Sequence, residues 1–193
     1  NGIAAKGGVK TISGSANFDA SLDLLSGRYS SRQFLPEVIS KEKLDFISTL
    51  VKRAPSQCNR QSARVHYYSD KNKIDQLLRL QGGAEGFRED VYNLFVISSE
   101  ISAWSGYKAR SQAYVDGSLL AMQVLNACHL SKLGCCPLNL AVSNNKELKI
   151  IKAGGISQGE RLIMMIAFGE IEEKEFVAAT SERISNDTLM VCH

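Results

Sequence analysis

The sequence predicts an α+β fold, and three observations carry that expectation. Strand-length stretches occur at 64–69 (RVHYYS, with β-branched and aromatic residues) and, as continuous apolar runs, at 93–98 (NLFVIS) and 162–169 (LIMMIAFG). Helical patterns are interspersed with them, without the strict βαβ alternation of a doubly wound sheet. No internal repeat or shift in composition divides the 193 residues, a length that one domain accommodates. The expected organisation is a loose N-terminal arm over 1–17 and a single domain over 18–193.

Taken in order, the first fourteen residues hold four glycines and lack the continuous apolar stretch of a secretory signal. With asparagine at position 1, the sequence leaves open whether a segment precedes it. A helix is expected over Phe18–Leu25, ended by Gly27. The next spans Ser40–Ala54: Leu44, Ile47, Leu50, Val51 and Ala54 recur at helical spacing, Ser40 is placed to cap it and Pro55 stops it. NLFVIS and LIMMIAFG read as strands covered on both faces, and RVHYYS, with its β-branched and aromatic residues, as a third strand. Asp116–Leu133 is apolar almost all round, which predicts a long buried helix ended by Gly134. Asn144 is placed to cap a shorter helix over KELKIIKAGG. The tail beyond Gly169 has isolated apolar residues at Phe176, Ile184, Leu189 and Val191, too far apart to form a core of their own.

Composition excludes several classes. Hydrophobic residues are 44% and charged residues 22%, an ordinary globular mixture, so disorder and fibrous repeats are not expected. The net charge of +3 is scattered rather than gathered into runs, so no nucleic-acid partner is expected. No apolar run approaches the roughly 18 to 20 residues of a membrane helix. Five cysteines, Cys58, Cys128, Cys135, Cys136 and Cys192, show no disulfide framework, which points to a reducing compartment, the cytoplasm. With no Cys/His ligand spacing, no metal is expected.

Two stretches carry chemistry. In RYSSRQF (28–34), Arg28 and Arg32 bracket Ser30 and Ser31, offering guanidinium forks, hydroxyls and loop amides suited to a phosphate dianion. Alone, such a pattern is more often a solvated loop. In APSQCNRQ (54–61), Ser56, Gln57, Asn59 and Gln61 follow Pro55 with side chains that both donate and accept, as the mixed edge of a heterocycle requires. A Pro-Ser-Asn turn is also routine loop chemistry.

Together, in this order, the two stretches resemble the RxSxRxF and PSxxNxQ signatures of the FMN-dependent nitroreductases. The pre-helix YVDG, the long helix, LGCCPLN, IAFGE and the arginine of SERIS also fall where that family has them, so the resemblance runs from about Phe18 to the C-terminus. It implies a nitroreductase-like fold: a central, mostly antiparallel sheet flanked by helices, with a C-terminal extension reaching the partner subunit. It assigns the FMN phosphate to Arg28, Ser30 and Arg183, with Tyr29 beside them. Arg32 falls near flavin N1, where a cation raises the reduction potential. Pro55, Ser56, Gln57 and Asn59 match a segment that reaches the flavin of the other subunit, which implies a homodimer. Pro137, Leu138 and Asn139 match a segment passing N5, and Gln81 is the candidate ahead of NLFVIS. Cys135 and Cys136 are expected to be buried structural thiols.

The sequence departs from the family where Ser62 and Ala63 replace an aromatic position, and in a short 98–116 stretch whose Trp104 and Tyr107 suit stacking on a flat substrate. The implied activity is oxidation of NADH or NADPH with electrons passed to a small organic acceptor, the flavin carrying the chemistry and no side chain acting as nucleophile. A flavin oxidase or dehydrogenase on a biosynthetic intermediate, and a non-catalytic flavin- or ligand-binding module, are the alternatives.

Overall fold

The computed structural model describes residues 27–104, 106, 109–172 and 182–192. The expected arm, the helix over Phe18–Leu25, Tyr107 and Phe176 lie outside them.

Among the described residues, four strands form one antiparallel sheet: β1 (Ala63–Tyr68), β2 (Asn93–Glu100), β3 (Gly134–Asn139) and β4 (Glu160–Gly169), in the order β1-β2-β4-β3. β1, β2 and β4 are the three expected runs. β3 corrects the sequence reading, which made Gly134 the end of a helix. That helix instead stops at Leu130, the chain turns through Lys132 in the left-handed region (φ 59°), and Gly134 opens an edge strand. Edge position is what lets β3 carry Pro137, since a proline cannot donate to a central ladder.

The helices of the domain are α1 (Lys41–Val51), α2 (Lys71–Gln81), α3 (Gln112–Leu130) and α4 (Asn144–Gly154), with a single turn, α5 (Asn186–Leu189), in the tail. Ser40 caps α1 as expected, accepting from Lys43 N at 3.3 Å. α4 is capped by Ser143, one residue before the expected Asn144. α2 was not expected; Asp70 accepts from Lys73 N at 2.8 Å to start it and Gly82 (φ 86°) ends it. No described helix is long and apolar enough to cross a membrane.

The sheet carries a hydrophobic core on each face. One packs Ile74, Leu77 and Leu78 of α2 and Ile150 of α4 onto Leu94, Val96, Leu162 and Met165. The other packs Ile47 of α1 and Val124 and Cys128 of α3 onto Phe95, Ile97, Ile166 and Phe168, where the Phe95 and Phe168 rings stack 4.0 Å apart. Each fully buried aliphatic or aromatic side chain contributes about 1.5 to 3 kcal/mol.

α3 also corrects the sequence reading. It covers the sheet with Ala121, Val124, Leu125 and Cys128, but Val115, Leu119 and Met122, spaced i, i+4, i+7, are 43–48% exposed in this chain. Its all-round apolar character therefore reflects two faces with different roles: one meets the sheet and the other is left uncovered.

Candidate flavin site

The first group of site residues lies along edge strand β3. Residues 28–35 run beside it: Ser30 and Cys135 form a parallel bridge, Ser31 N donates to Cys135 O at 2.9 Å, and Leu35 N donates to Glu170 O at 2.8 Å. Gly134 makes this approach possible, because a Cβ there would fall 2.9 Å from Ser31 Cβ and 2.5 Å from Ile171 Cγ2. Arg28 is half-buried; its Nη1 is fully buried and has no hydrogen-bond partner. Burial pushes the Cys135 thiol up to about 11 against the pull of the Arg28 charge, and raises Cys136 against Arg32 and Arg28. Both thiols are therefore neutral near pH 7, as expected of small buried hydrophobes. Burial also raises the Tyr29 hydroxyl. Arg32 is exposed.

Farther along β3, Pro137 is half-buried, Leu138 buried and Asn139 exposed. Gln81, at the end of α2, reaches this point: its Nε2 donates to Asn139 O at 2.9 Å and its Oε1 accepts from Gly83 N at 2.6 Å. The Gln81 amide is thus held against the β3 backbone, where it fixes Asn139 in place.

The second group is the loop between α1 and β1. α1 ends at Val51, and Gln57–Asn59 form a 3₁₀ turn in which Cys58 (φ 51°) and Asn59 (φ 53°) are left-handed, as is Gln61 (φ 49°). Three non-glycine residues in that region mark a loop whose shape is imposed by its surroundings. Ser56 Oγ accepts from Gln61 N at 3.0 Å, and Gln61 Nε2 donates to Asn59 Oδ1 at 2.9 Å. Asp116, 2% exposed, accepts from Gln57 N through Oδ2 at 3.0 Å and from Gln112 Nε2 through Oδ1 at 2.8 Å. The loop borders a cavity of about 270 Å³ that also touches Ala63, Asp116 and Leu120. Next to it, the Arg60 guanidinium stands 5.1 Å from the centre of the Trp104 ring, and Trp104 Nε1 donates to Ser99 Oγ at 3.2 Å.

Residues 25–92 match the model of the nitroreductase family, a stretch that takes in RYSSRQF, APSQCNRQ and Gln81. Solved structures extend the likeness to 87–89% of the chain. One, provisionally named an NADH dehydrogenase/NAD(P)H nitroreductase, from Bacteroides thetaiotaomicron, is 21% identical and superposes with a TM-score of 0.74 over 89% of this chain and 96% of its own. The chain has the nitroreductase fold. An FMN-dependent nitroreductase of Clostridium difficile is also 21% identical, with a TM-score of 0.67 over 87% of this chain and 93% of that one. A provisionally named nitroreductase of Desulfovibrio desulfuricans, solved in complex with FMN, is 18% identical, with a TM-score of 0.73 over 89% and 95%. No curated protein matches.

On this nitroreductase scaffold the two groups stand at opposite edges of the sheet. The segment holding Arg28 and Arg32 borders β3, and the Pro55–Asn59 loop leads into β1. Four strand spacings separate the 28–32 segment from β1, about 19 Å at roughly 4.8 Å each. The structure brings Arg28, Ser30, Gln81 and Pro137–Asn139 to one edge, and Ser56, Gln57, Asn59 and Trp104 to the other. Arg183 is exposed, donates to Glu182 O at 3.3 Å, and does not line the cavity of about 180 Å³ that Arg28 and Cys135 border. Sequence reasoning missed Asp116 and Arg60 as residues that shape the second group. An isolated carboxylate at the head of an otherwise apolar helix was the available signal for Asp116, whereas Arg60 lay unremarked inside a quoted motif.

Proposed function

We propose that the chain is an FMN-dependent oxidoreductase that oxidises NADH or NADPH and passes the electrons to a small organic acceptor, a nitroaromatic, quinone or similar, by a ping-pong sequence. The observation that carries this reading is the buried, unpartnered Nη1 of Arg28, in the segment whose pattern resembles the FMN-phosphate grip. A guanidinium nitrogen buried without a partner costs free energy, and an anionic oxygen removes that cost. The residues present thus fit FMN. Bound FMN supplies hydride chemistry in both half-reactions.

Each residue group then has a task. Arg28 and Ser30 hold the phosphate, with Tyr29 packed beside them and Arg183 approaching from the tail. Arg32 places a cation beside the ring and favours added negative charge there. Pro137, Leu138 and Asn139 pass the ring, Asn139 being steadied by Gln81. Ser56, Gln57 and Asn59 match the polar edge of a flavin held by the other chain, and Trp104, with Tyr107, limits the substrate's space.

Because the two groups lie at opposite edges of one sheet, one flavin needs two chains, and the protein is read as a homodimer. The exposed stripe of α3 and the exposed Ile184, Leu189, Met190 and Val191 of the tail supply apolar surface for that contact. Obligate interfaces of this kind bury roughly 2,000 Å² or more in total.

The test is the visible spectrum of the purified protein. Flavin absorption that bleaches with NADH or NADPH under anaerobic conditions and returns on adding a quinone is expected, with FMN released on heating. A colourless protein that takes up no FMN refutes the proposal; a flavin that neither nicotinamide reduces refutes the donor.

A further inference from the structure

We propose that His129 and Lys132, in the last turn of α3 and the turn after it, are phosphate-binding residues that complete the anion pocket begun by Arg28. This rests on the flavin reading for the identity of the ligand, a phosphate monoester, but stands on a separate set of observations.

The unpartnered Arg28 Nη1 belongs to a residue lining a cavity of about 180 Å³, and Tyr29, His129, Lys132, Gly134 and Cys135 share that lining. At about 30 Å³ per water molecule the space equals roughly six waters, room for a phosphate group with some hydration. Arginine and lysine supply fixed positive charge, and a histidine ring offers an N–H in either tautomer. Among the described residues no aspartate or glutamate lines the cavity; Glu172 follows the lining residue Ile171 and is exposed. The Cys135 thiol is pushed up to about 11 by burial, so it brings no competing charge near pH 7.

A helix C-terminus normally repels anions through its free carbonyls. Here three of the last four carbonyls are used. Ala127 O accepts from Ser131 N at 3.0 Å and from Ser131 Oγ at 2.8 Å, Cys128 O accepts from Leu133 N at 2.9 Å, and His129 O accepts from Lys132 N at 3.0 Å. The left-handed turn at Lys132 (φ 59°) that makes the last of these bonds also brings residues 129 and 132 to the same cavity as Arg28. One histidine N–H thus comes from the last turn of α3, one cation from the turn after it and one cation from the segment beside β3, all lining one cavity.

The test compares FMN with riboflavin, which lacks the phosphate, by fluorescence titration of flavin-stripped protein. Lys132→Glu, at an exposed position, should weaken FMN at least about tenfold, as loss of a charge-assisted contact does, while riboflavin affinity stays within about twofold; His129→Gln should give a smaller loss in the same direction. Equal FMN affinity in wild type and Lys132→Glu overturns the proposal, and so does a parallel loss for both flavins. Should wild type bind neither flavin, the functional reading fails while the pocket is still tested with inorganic phosphate alone. A millimolar phosphate-dependent rise in melting temperature, absent in Lys132→Glu and Arg28→Ala, then supports the pocket, and no rise in wild type overturns it.

Discussion

The backbone N–H of Gln57 donates to Oδ2 of the buried Asp116 at 3.0 Å, so a carboxylate at the head of α3 holds the loop that carries Ser56, Gln57 and Asn59. Asp116→Ala should lower stability by about 1 to 3 kcal/mol, the range for losing hydrogen bonds to a buried charged acceptor. Asp116→Asn keeps an oxygen for Gln57 and should recover most of it. Urea unfolding, with proteolysis across residues 55–61, checks this; an unchanged midpoint and an uncut loop in Asp116→Ala contradict it.

Arg28→Ala should weaken FMN by about 1.5 to 3 kcal/mol, roughly tenfold to more than a hundredfold, because it removes a charge-assisted contact. The fold should survive, since Nη1 has no described protein partner to lose. Circular dichroism and flavin titration together make the check. Full flavin occupancy with Arg28→Ala removes the basis for placing the phosphate there.

Arg32 is exposed beside β3, and its charge is felt at the Cys136 thiol. Arg32→Ala should lower the flavin midpoint potential more than it weakens binding, with Arg32→Lys intermediate, because a fixed cation favours the reduced, more negative ring. Reference-dye titration reads this. Equal potentials in wild type and Arg32→Ala, with flavin bound in both, place Arg32 away from the ring.

Glu160 gives a pH signature independent of flavin. Burial alone would raise its carboxyl, but hydrogen bonds from Ser98 and His66, with the charges of His66 and Arg64, outweigh it and bring the group below its ordinary value of 4.5. A carboxylate depressed on folding stabilises above its unfolded value, and that contribution is lost as pH falls through the folded one. Glu160→Gln should therefore melt below wild type at about pH 6, and the gap should narrow as the pH is lowered from there past the ordinary value of 4.5. A gap that stays constant over that range shows that the Glu160 charge contributes nothing.

Much of the fold was legible because it is written in local pattern. Leu44, Ile47, Leu50 and Val51 behind Ser40 made α1 readable, and NLFVIS and LIMMIAFG could only be strands at their length. β3 was hidden because GCCPLN is short and contains a proline, and only its edge position, a property of the whole sheet, allows that. α2 had its signals, Asp70, Ile74, Leu77, Leu78 and Gly82, but its charged residues dilute the apolar pattern. The apolar face of α3 was legible as composition and misread as burial, since an exposed apolar stripe looks in sequence like a core. Of the site, the phosphate-type motif and the amide-rich loop could be read as chemistry. Their placement at opposite edges could not, because it depends on the strand order β1-β2-β4-β3.

That placement makes a mixed dimer the most direct test of the central claim, a flavin site built from two chains. One chain carries Arg28→Ala and the other carries Gln57→Ala with Asn59→Ala, and differently tagged chains are co-expressed and purified as the heterodimer. If each site takes Arg28 from one chain and the loop from the other, both defects fall in one site and the second site is entirely wild-type. The account predicts one FMN per heterodimer bound with wild-type affinity and about half of wild-type turnover, where each homodimeric variant shows weakened binding. A heterodimer in which every flavin is weakened, with no wild-type site recovered, contradicts it.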